Sequence, residues 1–289
     1  MEGLRGKPEG EEMSHLEKLK NIVETEKSNI ILIFHRHLEH DTKDGEIDEL
    51  HRLTNNDLSY VKDISSLFKN TDLSVGFTVD NLRSYLTSYF LLGKDEFIDL
   101  EKKDQLDTYK ISKESKKIRA LKELTYRDPV NTKFGEGLEQ AIKDGRLLEF
   151  LVSESDNFDL ESENISGYSL ISSEIARIVY KYFQMRGGWQ EISDSKYQSE
   201  NLMRAFCIRE FIYACFRVKL MDKILGRNER DKFVENFSKN HDIKYIGIIT
   251  FRGEDEIVLY DNFGELSFKV DLLLEVIGEN PLNATDFKI

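Results

Sequence analysis

The sequence predicts an α/β protein: a three-layer α/β/α sandwich on a mostly parallel sheet, with antiparallel strands added toward the C-terminal end. Three observations carry this. Residues 29–93 run strand, helix, strand, helix within about 65 residues, the rhythm of crossover connections between parallel strands. Ile30 to Phe34 is a short apolar run, rich in β-branched residues and free of polar interruption, as a strand buried on both faces must be. Near the other end, YIGIITF, EIVLYD and LSFKV are separated by RGED and NFGE, which read as hairpin turns between antiparallel strands.

Taken in order, residues 1–14 read as a polar, mobile tail, within which Met13 offers a second possible start. Residues 15–289 then read as a single domain, a length that buries one sizeable core. Leu16 to Val23 has helical spacing. After the first strand comes HRHLEHD, and then Thr54 and Asp57 form a capping-box-like helix start. Leu58, Val61, Ile64, Leu67 and Phe68 line one face of that helix. Leu73 to Thr78 is the next strand, and NLRSYLTSYFLLG is a helix ended by Gly93.

The lysine-rich ISKESKKIRALKEL reads as a solvated helix, and TYRDPVNTKFGEG as a loop broken by Pro129 and two glycines. From Leu138, the apolar set Leu138, Ala141, Ile142, Leu148 and Val152 predicts one long amphipathic helix. A further helix runs from Tyr168 to about Phe183 on Ile171, Ile175, Ile178, Val179 and Tyr182. SESDNFDLESEN reads as a solvated loop, since it lacks the spacing and glycine of a calcium-binding EF-hand loop. LMRAFCI reads as a strand, EFIYACFRVKLMDKIL as a helix closed by Gly226, and ERDKFVENFSKN as one more short helix.

Composition narrows the function. With 39% hydrophobic and 11% aromatic residues the chain is globular. A net charge of -13 repels nucleic acid phosphates, and no apolar run approaches the roughly 20 residues of a membrane span. Neither nucleic acid nor membrane is therefore expected as a partner. The N-terminal stretch has no apolar signal region, and Cys207 and Cys215 are expected as free thiols, which together suggest a cytoplasmic location. An acidic protein that binds an anion needs a focused cluster of arginines to reverse its own field.

NIILIFHRHLEHD presents two chemistries. His35, His37 and His40 have the spacing H-x-H-x-x-H directly after a strand, and imidazole nitrogens are good zinc ligands. This resembles the H-x-H-x-D-H motif of metallo-β-lactamase-like hydrolases, with Glu39 in the aspartate's place. Such a site needs more histidines and a bridging aspartate downstream. Only His15, His51 and His241 remain, and none has a strand-end setting rich in ligands. No metal and no cofactor is expected on this ground.

The other chemistry is phosphoryl transfer. A neutral imidazole can attack phosphorus when its second nitrogen is fixed by a hydrogen bond. The dianion then needs fork-shaped guanidinium donors around it. Arg36 adjoins His37, and Arg83 lies just past the second strand at the start of the following helix. In a parallel sheet the C-terminal strand ends share one edge, where these groups would meet.

IILIFHRHLEHD, LTNND and FTVDNLRSYLTS together resemble the histidine phosphatase superfamily, the phosphoglycerate-mutase-like group. The matching residues are Arg36, His37, Leu53, Thr54, Arg83 and Thr87, within residues 29–93. Beyond that segment the similarity is one of helix order and scattered residues. The resemblance implies that His37 is the phosphorylated nucleophile and that Arg36 and Arg83 bind phosphate. It implies a carboxylic acid that protonates the leaving oxygen, for which Glu123 is the choice and Glu136 the second. The expected ligand is a phosphorylated small molecule or a phosphoprotein.

The sequence departs from the family pattern in three places. Leu38 and Asp57 stand where the family has glycine. The family's second catalytic histidine ends a late strand before a helix. Arg209 holds that place in LMRAFCIREFIYACF, and an alternative placement at the end of YIGIITF gives Phe251. Arg209 is preferred because a helix follows directly. Arginine can donate to the phosphoryl oxygens but cannot shuttle a proton. The resemblance therefore implies a divergent phosphatase, weak or inactive, or else a non-catalytic phosphate-binding or interaction module. A zinc-dependent hydrolase is the remaining alternative.

Overall fold

The computed structural model describes residues 15–37, 40–41, 52–53, 65–68, 73–79, 82–92, 118–121, 133–154, 167–239 and 246–279. The expected tail, the capping box at Thr54 and Asp57, most of the helix on Leu58 to Phe68, and all of the acidic loop after Glu154 lie outside them.

Nine strands are described: β1 Ile30–Arg36, β2 His40–Asp41, β3 Arg52–Leu53, β4 Ser74–Thr78, β5 Ile118–Ala120, β6 Leu202–Ile208, β7 Ile246–Arg252, β8 Glu256–Asp261 and β9 Gly264–Lys269. The helices are α1 His15–Thr25, α2 Leu82–Leu91, α3 Lys133–Lys143, α4 Leu147–Ser153, α5 Tyr168–Lys196, α6 Glu210–Leu225, α7 Arg227–Lys239 and α8 Val270–Gly278. Seven strands form one sheet in the order β5-β4-β6-β1-β7-β8-β9, while β2 and β3 pair separately. The first four of that order are parallel, and the rest join through antiparallel pairs. The expected α/β class, with C-terminal antiparallel strands, is what the chain adopts.

Strand β1 is central because both of its faces are apolar. Ile30, Leu32 and Phe34 enter one core with β6, α3, α4, α5, α6, α7 and α8. Ile31 and Ile33 enter the opposite core with Leu19 and Val23 of α1, Tyr85 of α2, and Leu67 and Phe68. Helices thus cover both faces, which makes the three layers. Phe34 stacks on Phe206 with ring centroids 4.9 Å apart, and Phe77 stacks on Phe206 at 5.1 Å, tying three parallel strands through one column of rings.

Several local expectations are corrected. The described part of the lysine-rich stretch, residues 118–121, holds strand β5 where a solvated helix was expected. Its Ile118 pairs with Gly76 and is buried, so a short parallel pairing outweighs a polar, helix-favouring composition. The KFGEG part of the expected loop already belongs to α3. Gly137 lies so close to the Phe150 ring that an added Cβ would meet it at 2.9 Å. The single long helix from Leu138 is two helices, broken at Asp144–Arg146, where Gly145 takes φ of 68°. Ile142, expected on the apolar face, is exposed. Helix α5 continues well beyond Phe183, to Lys196. Helix α8 was not read from the sequence, because VDLLLEVIG follows the last strand with no intervening break.

Candidate functional site

The site grows from the direction of the strands. In the parallel pair β1–β6, Arg36 lies opposite Ile208. One residue further along, the chain has left each strand, at His37 on one side and Arg209 on the other. Strand β4 runs the same way beside β6, with Thr78 opposite Cys207, so its end reaches the same edge. Helix α2 opens at Leu82 just after β4, which brings the backbone of Arg83 to this edge; its side chain is not described. The C-terminal edge of the parallel half therefore collects four expected residues: Arg36, His37 and Arg83, expected on chemical grounds, and Arg209, expected from the family resemblance. Those four are separated by as much as 173 positions in the chain (209 − 36).

His37 is half-buried and Arg209 is exposed. Arg209 holds extended backbone angles of φ -71° and ψ 140° at the N-cap of α6, and its carbonyl accepts the first hydrogen bond from the Ile212 N–H at 3.0 Å. Its side chain, which carries donors only, makes no capping bond. The helix after it points its N-terminal turn at the same edge, a setting that favours negative charge.

The alternative placement at Phe251 is overturned. Strand β7 is antiparallel to β1, with Leu32 opposite Ile249. Phe251 therefore lies toward the start of β1, where its carbonyl accepts a hydrogen bond from Asn29 Nδ2 at 2.9 Å. That is the opposite edge of the sheet from His37.

His35 faces the other way from Arg36, on the side of Ile31 and Ile33, and is only 1% exposed. Its Nδ1 lies 3.2 Å from the Arg36 carbonyl oxygen, and its Nε2 is buried without a hydrogen-bond partner among the described residues. Burial pushes its pKa down from 6.5 to about 4, against the weaker upward pull of the carbonyl contact, so the ring is neutral. The side chain of His40 lies outside the described residues. Among the described residues no three His, Cys, Asp or Glu side chains gather as a metal site. Glu123 also lies outside them, although Leu121 just before it donates its N–H to the Thr78 carbonyl at 2.9 Å, close to the same edge. Glu136 sits exposed in the first turn of α3. Thr87 is fully buried within α2.

One residue of the site escaped the sequence reading. Glu210 opens α6 and sets its Oε2 3.4 Å from Arg36 Nε. Arg36 and Glu210 side chains are 19% and 35% exposed, so the pair is partly solvated. The signal was present in the motif itself: an acid directly follows the arginine at the expected strand end. Only the parallel register shows that this acid meets Arg36.

The described fold and edge define an α/β protein with a strand-end Arg-His pair, faced by the start of a second strand-helix unit. No protein-family model matches the chain, and no curated protein sequence matches it. Among solved structures it is similar to a mycobacterial hydrolase at 10% identity and a TM-score of 0.43, covering 86% of this chain and 96% of that one. It is similar to a mycobacterial glucosyl-3-phosphoglycerate phosphatase at 9% identity and a TM-score of 0.40, over 76% and 89% of the two chains. A phosphoglycerate mutase from Bacillus anthracis aligns at 10% identity and a TM-score of 0.39, over 88% and 99%. No residue role is carried over from these alignments. No helix among the described residues is long and apolar enough to cross a membrane.

Proposed function

We propose that this chain is a divergent histidine-phosphatase-like protein that binds, and slowly hydrolyses, a phosphomonoester through His37. The observation that supports the reading is the parallel register, which brings the ends of β1 and β6, and hence His37 and Arg209, side by side at one edge. In the proposed reaction an imidazole nitrogen of His37 attacks phosphorus and the ester P–O bond breaks. The leaving oxygen takes a proton from a carboxylic acid, for which Glu123 is the proposed donor. Water then attacks the phosphohistidine, giving a proton to the carboxylate left by the first step; the P–N bond breaks, its electron pair returns to the imidazole nitrogen, and inorganic phosphate leaves. Arg36, Arg83 and Arg209 would share the charge of the transferring oxygens. The natural ligand would be a phosphorylated small molecule or a phosphoprotein.

A second reading is favoured by one residue. Arg209 supplies charge where proton transfer would help, so the same edge would hold a phosphate ligand without turning it over. Rapid mixing with p-nitrophenyl phosphate separates the two. A stoichiometric burst lost in His37→Ala is the expected result for the hydrolase, and equal release by wild type and variant removes that assignment. A large gain of turnover in Arg209→His marks a decayed enzyme, whereas binding of phosphate with no turnover in either protein marks the binding module.

A further inference from the structure

We infer that Glu210 is a built-in anion that occupies the cup before any phosphate arrives and sets how tightly an incoming phosphate is held. This rests on the reading of the edge as a phosphate site. An anion-binding cup in a protein of net charge -13 would be expected to keep its own carboxylates at a distance. Here the first residue of α6 is an acid, adjoining Arg209 in the chain and 3.4 Å from Arg36 in space. Phe34 and Arg36 alternate with His35 along β1, so Arg36 projects to the side of the sheet that α6 covers, and Glu210 approaches it from that helix. The positive end of the helix favours the ionised carboxylate where it stands.

A dianionic phosphate reaching Arg36 meets a guanidinium already facing a carboxylate, so it must displace Glu210 or accept it as a like-charged neighbour. Either course weakens binding. The same residue grades ligands by charge: a dianion competes with Glu210 far better than a monoanion such as a phosphodiester. The site would then hold phosphomonoesters loosely and diesters hardly at all. Replacing the carboxylate with an amide of the same shape removes the competitor and leaves the arginines in place. For partly exposed charges a few ångströms apart, the gain is roughly five- to tenfold in affinity at moderate salt.

The experiment is calorimetric titration of wild type, Glu210→Gln and Glu210→Asp with inorganic phosphate and with orthovanadate. The expected result is tighter binding by Glu210→Gln, with Glu210→Asp close to wild type and the gain shrinking in high salt. A merely structural role for Glu210 would weaken binding in both variants. Unchanged or weaker binding by Glu210→Gln, with wild type still binding, overturns this inference and leaves the phosphate site standing. No heat from any of the three proteins at millimolar ligand overturns the phosphate site itself. Should Glu210→Gln lose its helical circular dichroism, Glu210→Ser makes the same neutralisation at the first position of α6 and is held to the same outcomes.

Discussion

Removing Arg217 should cost this protein a large part of its stability, because the charge it leaves behind has nowhere to go. Arg217 Nη1 lies 2.5 Å from Asp261 Oδ2, and the two side chains are 4% and 0% exposed. The Tyr213 hydroxyl donates to the same carboxylate oxygen at 3.2 Å, and the Phe263 backbone N–H donates to the other at 2.8 Å. The guanidinium also lies over the rings of Phe233 and Phe263, at 5.5 and 5.8 Å. This one residue of α6 therefore meets α7 and the turn that joins β8 to β9. In Arg217→Met the carboxylate keeps two neutral donors and loses its counter-charge. Breaking a buried pair from one side costs about 3–5 kcal/mol, even where replacing both partners is far milder. For a chain of this size that is on the order of 10 °C in Tm. Urea unfolding followed by circular dichroism gives the free energies for Arg217→Met, Asp261→Asn and the double variant. The double variant should recover at least about 2 kcal/mol over the sum of the single losses, since neither charge is then stranded. Losses that simply add, or a single Arg217→Met within about 1 kcal/mol of wild type, would refute the reasoning.

Two further perturbations follow from close contacts and burial. Gly247→Ala places a Cβ 2.2 Å from the Tyr213 ring end, inside a core where both residues are buried, so the variant should melt far below wild type or fail to fold; a Tm within a few degrees would contradict the contact. His35 gives a pH signature. Its folded pKa of about 4 lies below the unfolded value of 6.5, so between these the unfolded chain binds the extra proton. Stability is retained above 6.5, falls as pH drops through the window, and is lost by roughly 3 kcal/mol near pH 4. Comparing urea midpoints at pH 7.5 and 4.5, His35→Met should show a shallower fall than wild type, and identical slopes would exclude His35 as the cause.

The parts of the fold that sequence exposed are those whose burial is carried by their own residues. Ile30 to Phe34 is apolar at every position, and it proved to be the central strand with a core on each face. Strand β5 was hidden because one buried residue, Ile118, does the packing while Arg119 and Ala120 stay exposed among lysines. The break between α3 and α4 was hidden because the apolar spacing carries on across Gly145 and only its positive φ interrupts the helix. Helix α8 was hidden because Val270 ends the apolar alternation of β9 and begins the helix at once. At the site, residue type pointed to Arg36 and His37, the family resemblance offered Arg209 or Phe251, and strand direction decided between those two. The pairing of Glu210 with Arg36 could not be read locally, since it exists only when two strands distant in sequence lie in parallel register.

Strand β1 pairs along one side with residues 202–208 and along the other with residues 246–249. Both neighbours leave the ribosome long after β1 does. Until residues 202–208 have been made, the nascent polypeptide carries the apolar pentapeptide from Ile30 to Phe34 without its native partner strands, a hazard for wrong pairing and aggregation. The histidine beyond that pentapeptide thus gains its neighbouring strand only after about 170 further residues have been joined to the chain.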